Sequence, residues 1–250
     1  MNQHIDSSAR IGKEVQIGYN TVILDQVIIG DHCLIGHNVV IHSGSIIGDN
    51  VRIDDNVIIG KKPLSSPRSI FKVADNLAPA KIGSYCQIGA NVVIYAQCEI
   101  GERNLIADLA TIRENVKIGS LNIVGRNVAI ENYCQIGDRN KFETNAYITA
   151  YSVVEDYCFV APCVATSNDN YMARDLERFK HFKGITMKSG SRIGVQATIL
   201  PGKVIESDGT VAAGAVVTRD VPSAKIVVGS PAKVLRDVPE NQLLKNNMDK

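Results

Sequence analysis

Tryptophan is absent from the 250 residues, and aromatic side chains make up only 5% of them. The core must therefore be assembled from aliphatic side chains rather than from packed rings. An excess of one charge is missing too: 27 Lys and Arg stand against 26 Asp and Glu, for a formal net charge of +1. No Lys/Arg block occurs. This balance argues against a nucleic-acid or membrane-surface role, while a local basic patch can still hold a phosphorylated ligand. No apolar run reaches the ~18 residues of a membrane span, and the opening MNQHIDSSARIG lacks a basic segment followed by an apolar one. The expectation is a soluble, cytoplasmic protein. The six cysteines include no CxxC pair, which argues against a metal cluster, and a cytosolic chain keeps its thiols reduced. At 45% hydrophobic content, the length suits one large domain with a substantial core.

What the chain does contain is a period of six. Steps of six from Ile11 reach Ile17, Ile23, Ile29, Ile35, Ile41, Ile47, Ile53 and Ile59 without a slip. The frame resumes at Ile82 and runs to Val160, with Val124, Phe142 and Val154 replacing Ile, then returns from Met187 to Val217. Twenty-nine hexads result. Gly follows the aliphatic residue at positions 12, 18, 30, 36, 48, 89, 101, 119, 137 and 194, where a sharp corner is expected to need positive φ. The fifth place is small or β-branched, as at Val39, Val51, Val92, Val116, Val128, Ala197 and Ala215. Cys33, Cys86, Cys98, Cys134 and Cys158 share that place and read as small buried core residues; only Cys163 is off it. A period of six is neither helical nor a plain alternation. It suits short strands joined by corners, three to a coil, in an all-β parallel solenoid.

Two segments break the frame, at about 60–81 and about 166–184. In a solenoid such insertions leave at corners, commonly on a binding face. In the first, Arg68 and Lys72 are candidates to meet a diphosphate and Phe71 to stack on a base, with a plain solvated loop as the alternative. The reading is a β-helix domain over 1–236 and a short C-terminal tail or helix over 237–250.

The hexads, which cover roughly residues 9–222, resemble the hexapeptide-repeat acyltransferase superfamily. That resemblance implies a left-handed β-helix, whereas ordinary parallel crossovers are right-handed. At three strands per coil it makes roughly ten coils, about 45 Å long at the usual strand spacing. The stretch from Lys141 to Asp169 and the ending VGSPAKVLR at Arg236 are similar to the sugar-nucleotide N-acetyltransferases of that superfamily. Their activity implies acetyl transfer from acetyl-CoA to the amine of a dTDP- or UDP-linked 3- or 4-amino-deoxysugar, without a metal, in the making of cell-surface polysaccharide. It also implies a homotrimer with each site between two subunits, a closed assembly of the usual kind.

Residues 18 apart share a place on successive coils, so one outward column reads Gly89, Ala107, Gly125, Glu143, Ala161. A lone carboxylate over small neighbours makes Glu143 the candidate to orient the sugar amine and accept its proton, and Glu143→Gln is expected to lower turnover at least about tenfold. An exposed acid on a solenoid face is the plainer alternative. Glu131 is the rival, and Asn145 joins it as a substrate contact. The resemblance places Asn168 and Asp169 at acceptor or acyl group, with an Asx turn as the alternative. For coenzyme A, Ala197, Gly214 and Ala215 let the pantetheine approach the backbone, and Arg219 and Lys233 are candidates for its phosphates.

Other chemistries share this architecture. His37 and His42 have the spacing of a γ-class carbonic anhydrase zinc pair, but neither His4 nor His32 fits as the third ligand. A lipid A acyltransferase has some support in VVIHSGSIIGDN, but those enzymes normally carry a larger helical C-terminal region and a mid-chain histidine, and none lies between His42 and His181, so it ranks below the amino-sugar reading. A non-catalytic trimeric scaffold is a further alternative.

Overall fold

The computed structural model describes residues 3–68 and 76–248. The Phe71 and Lys72 readings lie outside them. Among the described residues, sheets of eleven, ten and twelve strands, parallel except for the last strand of the third, form the three faces of a β-solenoid. Most strands have two residues. Away from the insertions and the C-terminal end, each pairs with the strand 18 residues on, as in Ile112↔Ile130 on the first face, Ile118↔Ile136 on the second and Val124↔Phe142 on the third. The coil count exceeds the hexad reading because the frame extends to His4–Ile5 and to Ala165–Thr166, where Thr replaces the aliphatic residue. Lys225–Val228 and Lys233–Asp237 add a closing antiparallel hairpin. Beyond it the described residues make two 3-10 turns, Glu240–Gln242 and Leu244–Asn246.

The inward ladder is continuous. Ile41, Ile59, Ile94, Ile112, Ile130 and Ile148 are fully buried, and Phe142 is the largest fully buried side chain. The fifth place packs beside them: all five cysteines there are buried, and Cys163 is exposed. Burial pushes the Cys98 and Cys134 thiols up to about 12. They remain neutral packing groups at physiological pH.

The corners correct one expectation. None of the glycines at positions 12, 18, 30, 36, 48, 89, 101, 119, 137 or 194 has positive φ. The left-handed residue sits two places later, as at Asn38 (φ 55°), Asn127 (54°) and Asn145 (62°). Asn tolerates that conformation because its short amide bonds locally. The small second place answers a different need, close stacking of one coil on the next. A Cβ on Gly125 would lie 2.6 Å from the Phe142 carbonyl oxygen of the next coil. Third-place side chains stitch the coils: Asp31 Oδ1 accepts the Lys13 N–H at 2.7 Å, and Asp138 Oδ1 accepts the Ser120 N–H at 2.6 Å.

Both insertions leave at the same edge. The first follows Ile58–Lys61 of the first face and returns at Lys81–Ile82 of the second; the second follows Ala165–Thr166 of the first face and returns at Thr186–Met187 of the second.

Candidate functional site

The first-to-second corner, from which both insertions leave, carries a column of polar groups. Steps of 18 along it give Tyr95, Arg113, Glu131, Thr149 and Ser167, fixed by the register Ile94↔Ile112↔Ile130↔Ile148. On the adjoining first face the outward residues Thr111 and Ala129 are small, and Tyr147 follows them. Arg113 organises the group. Its Nε and Nη2 meet the two carboxylate oxygens of Glu114 at 2.8 and 3.0 Å, a bidentate pair of the strong, oriented kind. Nη1 reaches Glu131 Oε2 at 3.4 Å, and the guanidinium lies 5.0 Å from the Tyr95 ring centre. The Lys61 ammonium, at the root of the first insertion, is 4.8 Å from the same ring.

One cation thus serves two acids. Glu114 is 6% exposed and takes both oxygens' worth of the guanidinium, so Glu131 receives only the outer, longer contact. Burial raises the Glu131 pKa above its ordinary value, the Arg113 charge works against that rise, and the Glu114 charge adds to it. Burial also raises the Tyr147 phenol, helped by the Glu131 charge. A carboxylate with enhanced proton affinity, held in a fixed place beside a small-residue face, is the arrangement a general base needs.

Glu143 stands on the other edge of the first face, at the third-to-first corner. Its side chain is partly exposed and paired with Lys141 at 2.8 Å. Asn145 shares that corner, where its Oδ1 accepts from Asn127 Nδ2 at 2.8 Å in a ladder of amides. Asn168 and Asp169 come to the Glu131 edge instead, since the second insertion starts after Ser167. Asp169 holds that loop together: Oδ1 accepts the Tyr171 N–H at 2.8 Å, in an Asx turn, and Oδ2 accepts from the Ala173 N–H and Arg178 Nη1. Burial opposes its ionisation, but those donors outweigh burial and lower the pKa.

Ala197 and Ala215 are fully buried, with side chains in the core. The N–H groups of Ala197, Gly214 and Ala215 all bond to carbonyls of the chain itself. Gly214 keeps open space where a Cβ would be. Arg219 and Lys233 are exposed near the end of the prism. His37 and His42 fall on different corners: His37 Nδ1 accepts the Tyr19 N–H at 2.8 Å, and His42 has its pKa lowered by burial and by Lys61 and Lys62. No group of three or more metal-ligating side chains occurs among the described residues.

Stretches of the chain match two repeat models: "Bacterial transferase hexapeptide (six repeats)" at residues 8–43 and 79–114, and "Hexapeptide repeat of succinyl-transferase" at 26–61. Residues 8–61 and 79–114 thus carry the hexapeptide repeat. Among curated proteins, the chain is 30% identical over 101 residues to "Putative acetyltransferase YJL218W" of Saccharomyces cerevisiae, a match covering 39% of this chain and 52% of that protein. It is 48% identical over 50 residues to the 2,3,4,5-tetrahydropyridine-2,6-dicarboxylate N-acetyltransferase of Staphylococcus aureus, covering 20% of this chain and 21% of that one. The hexapeptide-repeat chain therefore spans about half or less of these relatives. Among solved structures, a UDP-N-acetylglucosamine acyltransferase from Bacteroides fragilis aligns over 93% of this chain and 72% of its own with a TM-score of 0.54 at 21% identity, a likeness of fold.

Sequence reading had named Glu131, Asn168 and Asp169 but not Arg113, Glu114, Tyr95 or Tyr147. The signal was present: steps of 18 back from Glu131 reach Arg113 and then Tyr95.

Proposed function

We propose that this hexapeptide-repeat chain is an acyl-CoA-dependent acyltransferase that moves an acetyl group from acetyl-CoA to the amine of a nucleotide-linked amino sugar. The observation that carries the reading is the proton-avid Glu131, held by Arg113 on the edge from which both insertions leave. Acetyl transfer agrees with the names of the yeast and staphylococcal relatives, the second of which acts on nitrogen.

Attack on a thioester requires a neutral amine, since an ammonium has no free electron pair. In this reading Glu131 accepts the amine proton as the C–N bond forms. The C–S bond then breaks, and the proton ends on the departing thiolate of coenzyme A. A backbone N–H lining the groove steadies the oxyanion. Glu143, sharing its charge with Lys141, has the lesser role of orienting the acceptor together with Asn145. Gly214, Arg219 and Lys233 are assigned to the donor, with the two cations on its phosphates.

The assay is thiol release from acetyl-CoA across dTDP- and UDP-linked 3-amino and 4-amino sugars. Release with at least one acceptor is expected, and silence with all of them, in correctly folded protein, favours the scaffold reading. The proposed assembly is a homotrimer with each site between two chains; a stable monomer by size-exclusion chromatography with light scattering removes that arrangement.

A further inference from the structure

A second basic site lies away from the Arg113 edge, on the third face beneath the C-terminal tail. Two neighbouring columns form its floor. Lys141, Phe159 and Arg192 follow one another in register on the face. Beside them, at the second-to-third corner, Arg139, Tyr157, Gly190 and Asp208 occupy the left-handed place of successive coils. The two 3-10 turns of the tail close over the upper half. Leu244 donates its N–H to Asp208 Oδ1 at 2.8 Å, and Arg192 Nη1 donates to Gln242 Oε1 at 3.3 Å. Gly190 permits this closure, because a Cβ there would lie 2.9 Å from the Leu244 Cβ. The space left between floor and tail measures about 360 Å³.

Its charge is lopsided in a chain that is otherwise balanced. Among the described residues, Arg139, Lys141 and Arg192 line the pocket against a single acid, Asp208, whose Oδ1 is already engaged by the tail. Lys141 also pairs with Glu143, which is outside the lining. Arg139 is anchored over the Tyr157 ring, 5.6 Å from its centre. The decisive feature is Arg192. Its Nε and Nη2 are buried and have no hydrogen-bond partner among the described residues. A buried charged donor left unpaired is costly and is normally matched by an acceptor. The guanidinium fork fits the paired oxygens of a phosphate better than it fits a single carbonyl.

We propose that this pocket binds a phosphorylated anion of the nucleoside diphosphate class. Arg192, Arg139 and Lys141 take the phosphate oxygens, and Phe159 lies between Lys141 and Arg192 to pack against the planar base. The volume is at the small end of ligand sites, ~300–1,000 Å³, which suits a nucleotide rather than a macromolecule. Two sources supply that chemistry, the nucleotide end of coenzyme A and the nucleotide of an activated sugar. Naming these two sources rests on the acyl-transfer reading, whereas anion binding itself is read without turnover; coenzyme A as the source would move its nucleotide phosphates here from Arg219 and Lys233.

The test is calorimetric titration of the full chain at low salt with inorganic pyrophosphate, UDP, 3′-phosphoadenosine 5′-diphosphate and uridine. Saturable binding of pyrophosphate and of at least one of the two nucleotides is expected, with no heat from uridine and with weakening as salt is raised. The tighter of the two nucleotides identifies the source. Arg192→Gln and Arg139→Gln should each weaken the nucleotide by about tenfold or more, the usual consequence of losing a charged hydrogen bond. Thermal melting checks that each variant folds, and Arg139→Gln carries the test if Arg192→Gln does not. Absence of binding, uridine binding as tightly as UDP, or parental affinity in the folded variants overturns the proposal.

Discussion

Turnover of amine acetylation should fall about 100-fold in Glu131→Gln and about tenfold in Glu143→Gln, within the range found when a general base or an orienting contact is removed. Both substitutions keep the shape of the side chain and delete the charge. The ranking follows from the two environments. Glu131 is the more buried acid, shares the Arg113 cation with Glu114, and has its proton affinity raised by that burial. Glu143 is more open and pairs with Lys141 at 2.8 Å. The pH profile gives a second readout. Because the folded-state pKa of Glu131 lies above the ordinary 4.5, the acid limb of kcat/KM in the parent should steepen as pH drops through that raised value, and in Glu131→Gln this extra steepness should vanish, leaving the limb set by protonation of the substrate amine. A parental rate and parental acid limb in Glu131→Gln would remove Glu131 from the chemistry, and a loss confined to Glu143→Gln would hand it the role.

The same environments show what could be read from residues alone. The period of six made the solenoid legible, because an inward aliphatic residue at every sixth position has no other economical use in a chain this poor in rings. Glu143 was also legible as an anomaly, being an acid in a column of Gly and Ala. Arg113 was not, since a single Arg in a mixed column violates no pattern. Its importance arises only when Glu114, next to it in the chain, turns out to be buried at the corner. The glycines misled for a related reason. A missing Cβ serves positive φ and close approach equally well in a sequence, and only stacked coordinates separate Gly125, which clears the Phe142 carbonyl, from Asn127, which bears the left-handed turn. Ala197 and Ala215 were read as small residues that let a pantetheine lie close to the backbone, with core packing as the alternative, and their side chains are in the core.

A linear repeat offers no cleft of its own, so a site must be made by what departs from the repeat. Both insertions depart at one edge, and the charged residues collect there: Lys61 at the root of the first, Arg113 and Glu131 on the coils between, and Asp169 at the start of the second. The third face acquires its pocket by the other available means, a tail folded back over the prism.

Arg113→Leu should destabilise the chain by about 3–5 kcal/mol, the range for removing one partner of a buried ion pair. Unfolding would then begin roughly 10 °C lower for a domain of this size. The cause is the acid left behind. Glu114 is 6% exposed and both its carboxylate oxygens point at Arg113, so in the variant a charge remains in the corner with neither water nor cation to balance it. If that is the reason, adding Glu114→Gln to Arg113→Leu should restore at least half of the loss, because the neutral amide is far cheaper to bury unpaired. Lost packing of the Arg stem against Tyr95 predicts the opposite, a deficit that Glu114→Gln does not repair. Thermal denaturation of the parent, the two single variants and the double variant forms a closed cycle. A coupling near zero between positions 113 and 114 would mean that the bidentate pair does not stabilise this corner.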